Sequence, residues 1–202
     1  MPPHDSITDS LGSAALKYAK RGWPVLPLHG LSDGGCTCGR PHGKGQGECA
    51  HPGKHPRTQH GMKDATCDTA TVEAWWQRWP DANIGIRTGR KPDGCGMWVL
   101  DIDVGTRAIE FLDGQTSANG DDASMHTLCV RSGGGGMHFY YLYGPELGSW
   151  LTENRLSLPS RNGIAPPGMA AIKGFDVRGD GGYIIAPPSL HESGRRYEWE
   201  RA

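Results

Sequence analysis

The sequence predicts a mixed α/β (α+β) fold, and three observations carry that expectation. Two segments place apolar residues at the 3.6-residue helical period, several runs show the alternation or aromatic and β-branched enrichment of strands, and 31 Gly with 15 Pro punctuate the chain between them. At 202 residues and 36% hydrophobic content there is material for one substantial core, or for a core with a small accessory lobe, and a single domain over 1–202 is expected.

The first helix rests on Leu11, Ala14, Ala15 and Tyr18 at i, i+3, i+4 and i+7, with Asp9 or Ser10 to cap its start and Gly22 to end it. Trp23-Pro-Val-Leu-Pro-Leu28 follows as an extended segment whose two prolines lack N–H donors, so it belongs at a sheet edge. From Leu31 to Lys63 the chain holds too little apolar material to order itself by burial. Cys36, Cys38, Cys49 and His55 offer three thiols and an imidazole, the donor set of a closed structural zinc site within a loop at 36–60. His42, His51 and His60 compete as ligands, and Cys36-Thr-Cys38 is tighter than the usual ligand spacing. From Cys36 to Lys63 the chain is locally basic, with Arg40, Lys44, Lys54, Arg57 and Lys63 against Glu48 alone. Gly39 to Lys44 lacks a spacer residue and the Ser/Thr of a P-loop, so it is not one.

A second helix is expected on Val72, Trp75, Trp76 and Trp79, whose spacing reads as a core face rather than a base-stacking stripe, with Pro80 ending it. Asn83 to Gly89 alternates as a strand expected to carry Asn83, Arg87 and Thr88 to an exposed loop. In Trp98-Val-Leu-Asp-Ile-Asp-Val104, strand alternation puts Asp101 and Asp103 on one face and Trp98, Leu100 and Ile102 on the other. Two carboxylates that close call for a compensating cation or a shared proton. A helix is expected near 106–113, then strands at His126–Arg131 and Met137–Tyr143 joined by Ser132-Gly-Gly-Gly-Gly136. That loop is more glycine than chain reversal needs, and bare backbone amides beside Ser132 and His138 suit phosphate oxygens. The glycines do not form the dinucleotide fingerprint, because His138 stands at its final position. Residues 149–167 suggest no specific task; Asp176 then sits on a short strand, Asp180 in a turn, and Tyr183–Ala186 on a further strand.

Net charge is −1, so composition offers no global attraction for nucleic acid. No secretory signal and no run of apolar residues long enough for a membrane span is visible, and the expectation is a cytoplasmic protein whose cysteines are thiols or metal ligands. The end at Trp199-Glu-Arg-Ala202, just after a strand, reads as the N-terminal part of a longer protein.

The ordered set of Asp-x-Asp, Ser-Gly-rich-His, and Asp176 before Gly181-Gly-Tyr-Ile-Ile-Ala-Pro-Pro-Ser189 resembles the catalytic domain of the bifunctional DNA primase/polymerase (Prim-Pol) family. That family lies in the archaeo-eukaryotic primase superfamily, from plasmid, phage and other mobile-element replication proteins. The likeness begins at Ala14-Ala-Leu-Lys-Tyr-Ala-Lys-Arg-Gly-Trp-Pro-Val-Leu-Pro27 and runs to Ser189. It implies an RRM-like catalytic sheet beside a smaller N-terminal α/β lobe. It further implies that Asp101, Asp103 and Asp176 hold two Mg²⁺ or Mn²⁺ ions, about 4 Å apart in such sites, for nucleotidyl transfer. Ser132, the loop amides such as that of Gly134, and His138 would grip the nucleotide phosphates. Arg178 shares the strand face of Asp176 and is a further phosphate contact, with Lys63 and Arg87 as basic candidates for template or nucleotide. The partners implied are a single-stranded DNA template, a primer strand, dNTPs or NTPs, and a helicase domain or partner. Two rivals remain. A non-catalytic single-stranded-DNA-binding initiator module would not need all three carboxylates, and a nucleotide-sugar glycosyltransferase has no use for Ser132, His138 and Asp176 in that order.

Overall fold

The computed structural model describes residues 10–32, 35–41, 43–47, 49–90, 96–104, 127–143 and 174–201. In chain order the elements are α1 (Leu11–Lys20), β1 (Val25–Leu28), β2 (Leu31–Ser32), β3 (Gly35–Cys36), a 3-10 turn (Gly61–Asp64), α2 (Thr69–Arg78), β4 (Asn83–Arg87), β5 (Gly89–Arg90), β6 (Gly96–Ile102), β7 (Leu128–Arg131), β8 (Met137–Tyr143), β9 (Phe175–Arg178), β10 (Tyr183–Ala186) and β11 (Glu198–Arg201). The architecture is α+β, with few helices and antiparallel sheets. The helix expected at 106–113 and the stretch 149–167 lie outside the described residues. The chain divides into two compact units, 1–87 with 183–198 and 88–182 with 199–202.

The first unit is a three-stranded sheet, β1-β4-β10, backed by the two helices. Ser10 caps α1 by accepting from the Ser13 amide at 3.2 Å, and Gly22, at φ +78°, takes the left-handed conformation that turns the chain into β1. Ala14, Ala15, Tyr18 and Ala19 form the buried face of α1. On α2, capped by Asp68, Val72 and Trp76 are buried and form its core face, Trp75 is half-buried, and Trp79 is the half-buried C-cap residue, with the Arg57 and Arg78 guanidiniums over its ring. The helices meet closely: a Cβ on Gly12 would stand 3.0 Å from the Cβ of Trp76. Val25, Leu26, Leu28, Ile84 and Ile86 are fully buried, each contributing about 1.5–3 kcal/mol by leaving water.

Strand β1 lies at the sheet edge, as expected for a strand that contains Pro27 and follows Pro24, but its outer side is used. Val25 and Thr66 exchange amide and carbonyl bonds at 2.9 Å each, and the Arg57 amide donates to the Pro27 carbonyl. One expectation is corrected here. Asn83 and Thr88 do not reach an exposed loop; each is 1% exposed, and only Arg87 at the end of β4 faces solvent. Asn83 Nδ2 donates to the carbonyls of Gly53 (2.9 Å) and Leu190 (2.8 Å), and its Oδ1 accepts from the Leu190 amide (2.9 Å). Thr88 donates to the Gly179 carbonyl at 2.7 Å. Both buried polar side chains are hydrogen-bonded, which offsets the cost of taking them out of water.

The second unit is a sheet ordered β11-β7-β8-β6-β5, with β9 pairing β6 on the side that β5 occupies only at the strand's start. Its two faces follow strand alternation. Leu100, Ile102 and Val177 form a buried cluster with Trp98, Phe139 and Tyr141 against it, and Trp98 stacks on its cross-strand partner Tyr141 at 4.4 Å. The opposite face carries Asp101, His138, Asp176 and Arg178. At the margin, Arg131 of β7 forms an ion pair with Glu200 of β11.

Candidate active site

Asp101 occupies the centre of the polar face. In the ladders of β6 it is the direct partner of His138 on β8 and of Asp176 on β9, so three separated sequence motifs meet on three adjacent strands. His138 Nε2 lies 3.4 Å from Asp101 Oδ1. Arg178 Nε and Nη2 donate to Asp101 Oδ2 at 3.2 and 3.1 Å, and Nη2 also donates to Asp176 Oδ2 at 3.1 Å. Burial raises the Asp101 pKa, but the hydrogen bond and charge of His138 and the charge and hydrogen bonds of Arg178 outweigh it and hold the carboxyl below its ordinary value. Asp101 is therefore a carboxylate at neutral pH.

Asp103 follows one residue beyond β6, where the ladder still runs: its amide donates to the Gly174 carbonyl at 2.9 Å. That continuation keeps Asp103 in the alternation of Asp101, with an exposed side chain. The glycine loop is a tight turn closed by Ser132 N–H to Gly136 O and Gly135 N–H to Ser132 O, both 2.8 Å. Two of its glycines have conformational reasons. Gly135 sits at φ +97°, and a Cβ on Gly136 would stand 2.5 Å from the Ile102 carbonyl oxygen. The loop thereby presses against the end of the Asp101 strand, with Gly134 exposed and Ser132 half-buried. Lys63 and Arg87 are exposed and belong to the first unit, not to this cluster.

The carboxylates fit a divalent cation by their donor chemistry. Oxygens of Asp101 and Asp176 converge on a single positive group, Arg178 Nη2, and hard oxygen donors arranged around a cation suit Mg²⁺ or Mn²⁺.

A second metal-competent cluster lies within the first unit. The ligand atoms of Cys36, Cys38, Cys49 and His55 all fall within 4.8 Å of one another. A tetrahedral zinc with Zn–S near 2.3 Å sets ligand edges of roughly 3.8 Å. The Cys36 Sγ–His55 Nε2 separation of 4.0 Å is close to that scale. His55 Nδ1 is 3.2 Å from the His51 carbonyl oxygen, which fits Nδ1–H donating there and leaves Nε2, on the side of Cys36 Sγ, as the ligand nitrogen. His51 thus supports the cluster through its backbone, and His60 is engaged with Asp64 at 3.0 Å; His42 lies outside the described residues. The Gly53 amide donates to Cys36 Sγ at 3.4 Å. Burial and then the adjacent Cys38 and Cys36 push the Cys49 thiol up to about 11. For Cys38 burial also works against the thiolate, but the Arg40 amide and the Cys36 and Cys49 thiols bring its pKa below the usual value. Three thiols so close cannot all ionise unless a cation joins them.

Sequence reasoning did not single out the supporting groups, and most had no side-chain signal to offer: the Gly53 amide and the His51 carbonyl are backbone atoms. His29 is different. Its ring lies 4.6 Å from that of His55 and 3.1 Å from Thr37 Oγ1, and burial, then His55 and Arg57, lower its pKa to about 4, so a neutral ring packs beside the cluster.

Fold and site together define an α+β protein that gathers carboxylates, a histidine and an arginine on one sheet face. The chain belongs to the bifunctional DNA primase/polymerase, N-terminal (Prim-Pol) family, whose profile matches residues 15–202. Searches of curated proteins and of solved structures returned no match. Membership supports a DNA primase/polymerase function in general, a nucleotidyltransferase type of activity that depends on metal and binds DNA template and nucleotides. No helix among the described residues is long and apolar enough to cross a membrane.

Proposed function

We propose that the matched span works as one catalytic domain that synthesises primers and extends them on a single-stranded DNA template, in the replication of a plasmid, phage or other mobile element. The observation that carries this reading is the convergence of Asp101, Asp176 and His138 on adjacent strands of one sheet face. Asp101, Asp103 and Asp176 are the residues that would hold Mg²⁺ or Mn²⁺. Bound metal supplies activation of the attacking hydroxyl and neutralisation of the departing pyrophosphate. The chain's own groups do the positioning. His138, buried beside Asp101, and Ser132 with the Gly134 amide face the β- and γ-phosphates, and Arg178 adds a guanidinium. Lys63 and Arg87 are assigned to template or nucleotide phosphates. Zinc on Cys36, Cys38, Cys49 and His55 is structural in this reading, ordering a loop too polar to fold by packing. A helicase, as a further domain or a partner, would supply the template.

The test incubates wild type and the Asp101→Ala/Asp103→Ala variant with single-stranded template, labelled nucleotides and Mn²⁺. Incorporation by wild type and none by a folded variant is expected; undiminished incorporation by the variant sinks the assignment. A wild type that binds single-stranded DNA yet incorporates nothing would instead be an initiator module.

A further inference from the structure

Arg178 holds the place where two facing carboxylates converge. Its Nη2 donates to Asp101 Oδ2 and Asp176 Oδ2, both at 3.1 Å, and its Nε adds a 3.2 Å bond to Asp101 Oδ2. The two aspartates are direct cross-strand partners, a relation that brings Cβ atoms to about 4.5–5.5 Å and makes like charges repel. Their side chains are only 21% and 14% exposed, so water screens that repulsion poorly. Such a pair needs a cation whether or not metal is present, and a planar guanidinium can serve two carboxylates at once. Arg178 is itself 30% exposed, which leaves its head a route to solvent while the stem stays on the strand.

The geometry points to Arg178 as a resident stand-in cation that competes with the divalent metal for Asp101 and Asp176 and passes to the nucleotide phosphates when metal enters. This inference rests on the proposed nucleotidyl transfer and deepens it. Both occupants claim the same atoms: Asp101 Oδ2 accepts from Nε and Nη2 together, so ligation of metal by that oxygen requires the fork to leave. The displaced guanidinium keeps its charge and its donors, and the triphosphate is the anion that arrives with the metal. Metal alone must break the arginine contacts without replacing them. Metal with nucleotide gives Arg178 a new partner, so the two bind with positive linkage.

The experiment titrates Mn²⁺, by electron paramagnetic resonance, into wild type, Arg178→Met, Arg178→Lys and Asp101→Asn, with and without dNTP and without template, so that no chemistry occurs. Arg178→Met is expected to bind Mn²⁺ alone roughly tenfold more tightly than wild type, the factor for a site open about a tenth of the time. It should also lose the gain in Mn²⁺ affinity that dNTP gives wild type. Equal or weaker binding of Mn²⁺ alone by Arg178→Met overturns the inference. If circular dichroism shows that this variant has not folded, wild type decides: absence of any dNTP-dependent gain overturns it, and a gain that Arg178→Lys halves or loses supports it. Asp101→Asn separates the two levels. Mn²⁺ binding lost in Asp101→Asn but unchanged in Arg178→Met removes the arginine role and keeps the metal site, whereas binding unchanged in Asp101→Asn removes the metal site itself.

Discussion

Asp101 on β6 and Asp176 on β9 stand directly opposite each other in an antiparallel ladder, bridged by one arginine nitrogen 3.1 Å from each. Residues 75 positions apart in sequence thus form one acidic pair, and the chemistry of the sheet face follows from it.

Replacing Asp176 by Asn removes one charge of the pair and leaves the Arg178–Asp101 contacts in place. Primer extension is expected to fall by roughly a thousandfold, the scale of losing one preorganised electrostatic group, while the melting temperature stays close to wild type. Gel-resolved extension assays and thermal denaturation check the two halves.

Acid should weaken the metal-free protein partly through Asp101. Its folded pKa is depressed, so the stability it confers is complete above the unfolded carboxyl value and is lost as pH falls through the folded one. The stability advantage of wild type over Asp101→Asn is therefore expected to be largest near neutrality and to shrink below about pH 4. Urea unfolding of both proteins across that range measures the gap.

Asn83→Ala would strand the Gly53 and Leu190 carbonyls and the Leu190 amide, all bonded by one side chain that is 1% exposed. A loss of about 2–4 kcal/mol is expected, because buried polar groups left without partners cost more than the bonds themselves contribute. Chemical denaturation reads this directly.

Gly136→Ala places a methyl 2.5 Å from the Ile102 carbonyl oxygen, backbone that cannot rotate away. Destabilisation of about 1–3 kcal/mol is expected, with weaker nucleotide binding as the turn lifts from the Asp101 strand. Thermal melts and nucleotide titration monitor the two effects.

Purified protein should contain about one zinc per chain at the Cys36–His55 cluster, and chelation or Cys49→Ser should lower the melting temperature and open the stretch 36–60 to protease. Elemental analysis with limited proteolysis tests both.

The sequence showed the carboxylate face because a two-residue period needs no partner to be visible: Asp101 and Asp103 share a face in any strand. The Cys/His ligands were visible for a similar reason, since their residue types are rare together in a loop without core material. What alternation could not say is which neighbour lies across each ladder. Asn83 and Thr88 read as loop-facing because a strand pattern does not reveal that both sides will be covered, and their burial depends on carbonyls of Gly53, Leu190 and Gly179, up to 107 residues away. Arg178 was legible as sharing the face of Asp176, but its bridge to Asp101 depends on the β6–β9 register.

The division of the chain also bears on how the protein is made. The second unit, 88–182, is threaded between the two parts of the first, and residues 199–202 return to it through β11 on β7. During synthesis the first unit's sheet β1-β4-β10 waits for Tyr183–Ala186, and β7 waits for a strand that emerges later still. Neither unit corresponds to a continuous peptide that can be excised. Closure of both is deferred until nearly the whole span has left the ribosome, so truncation just before β10 or β11 should yield aggregation-prone chains with unpaired strand edges rather than a smaller folded unit.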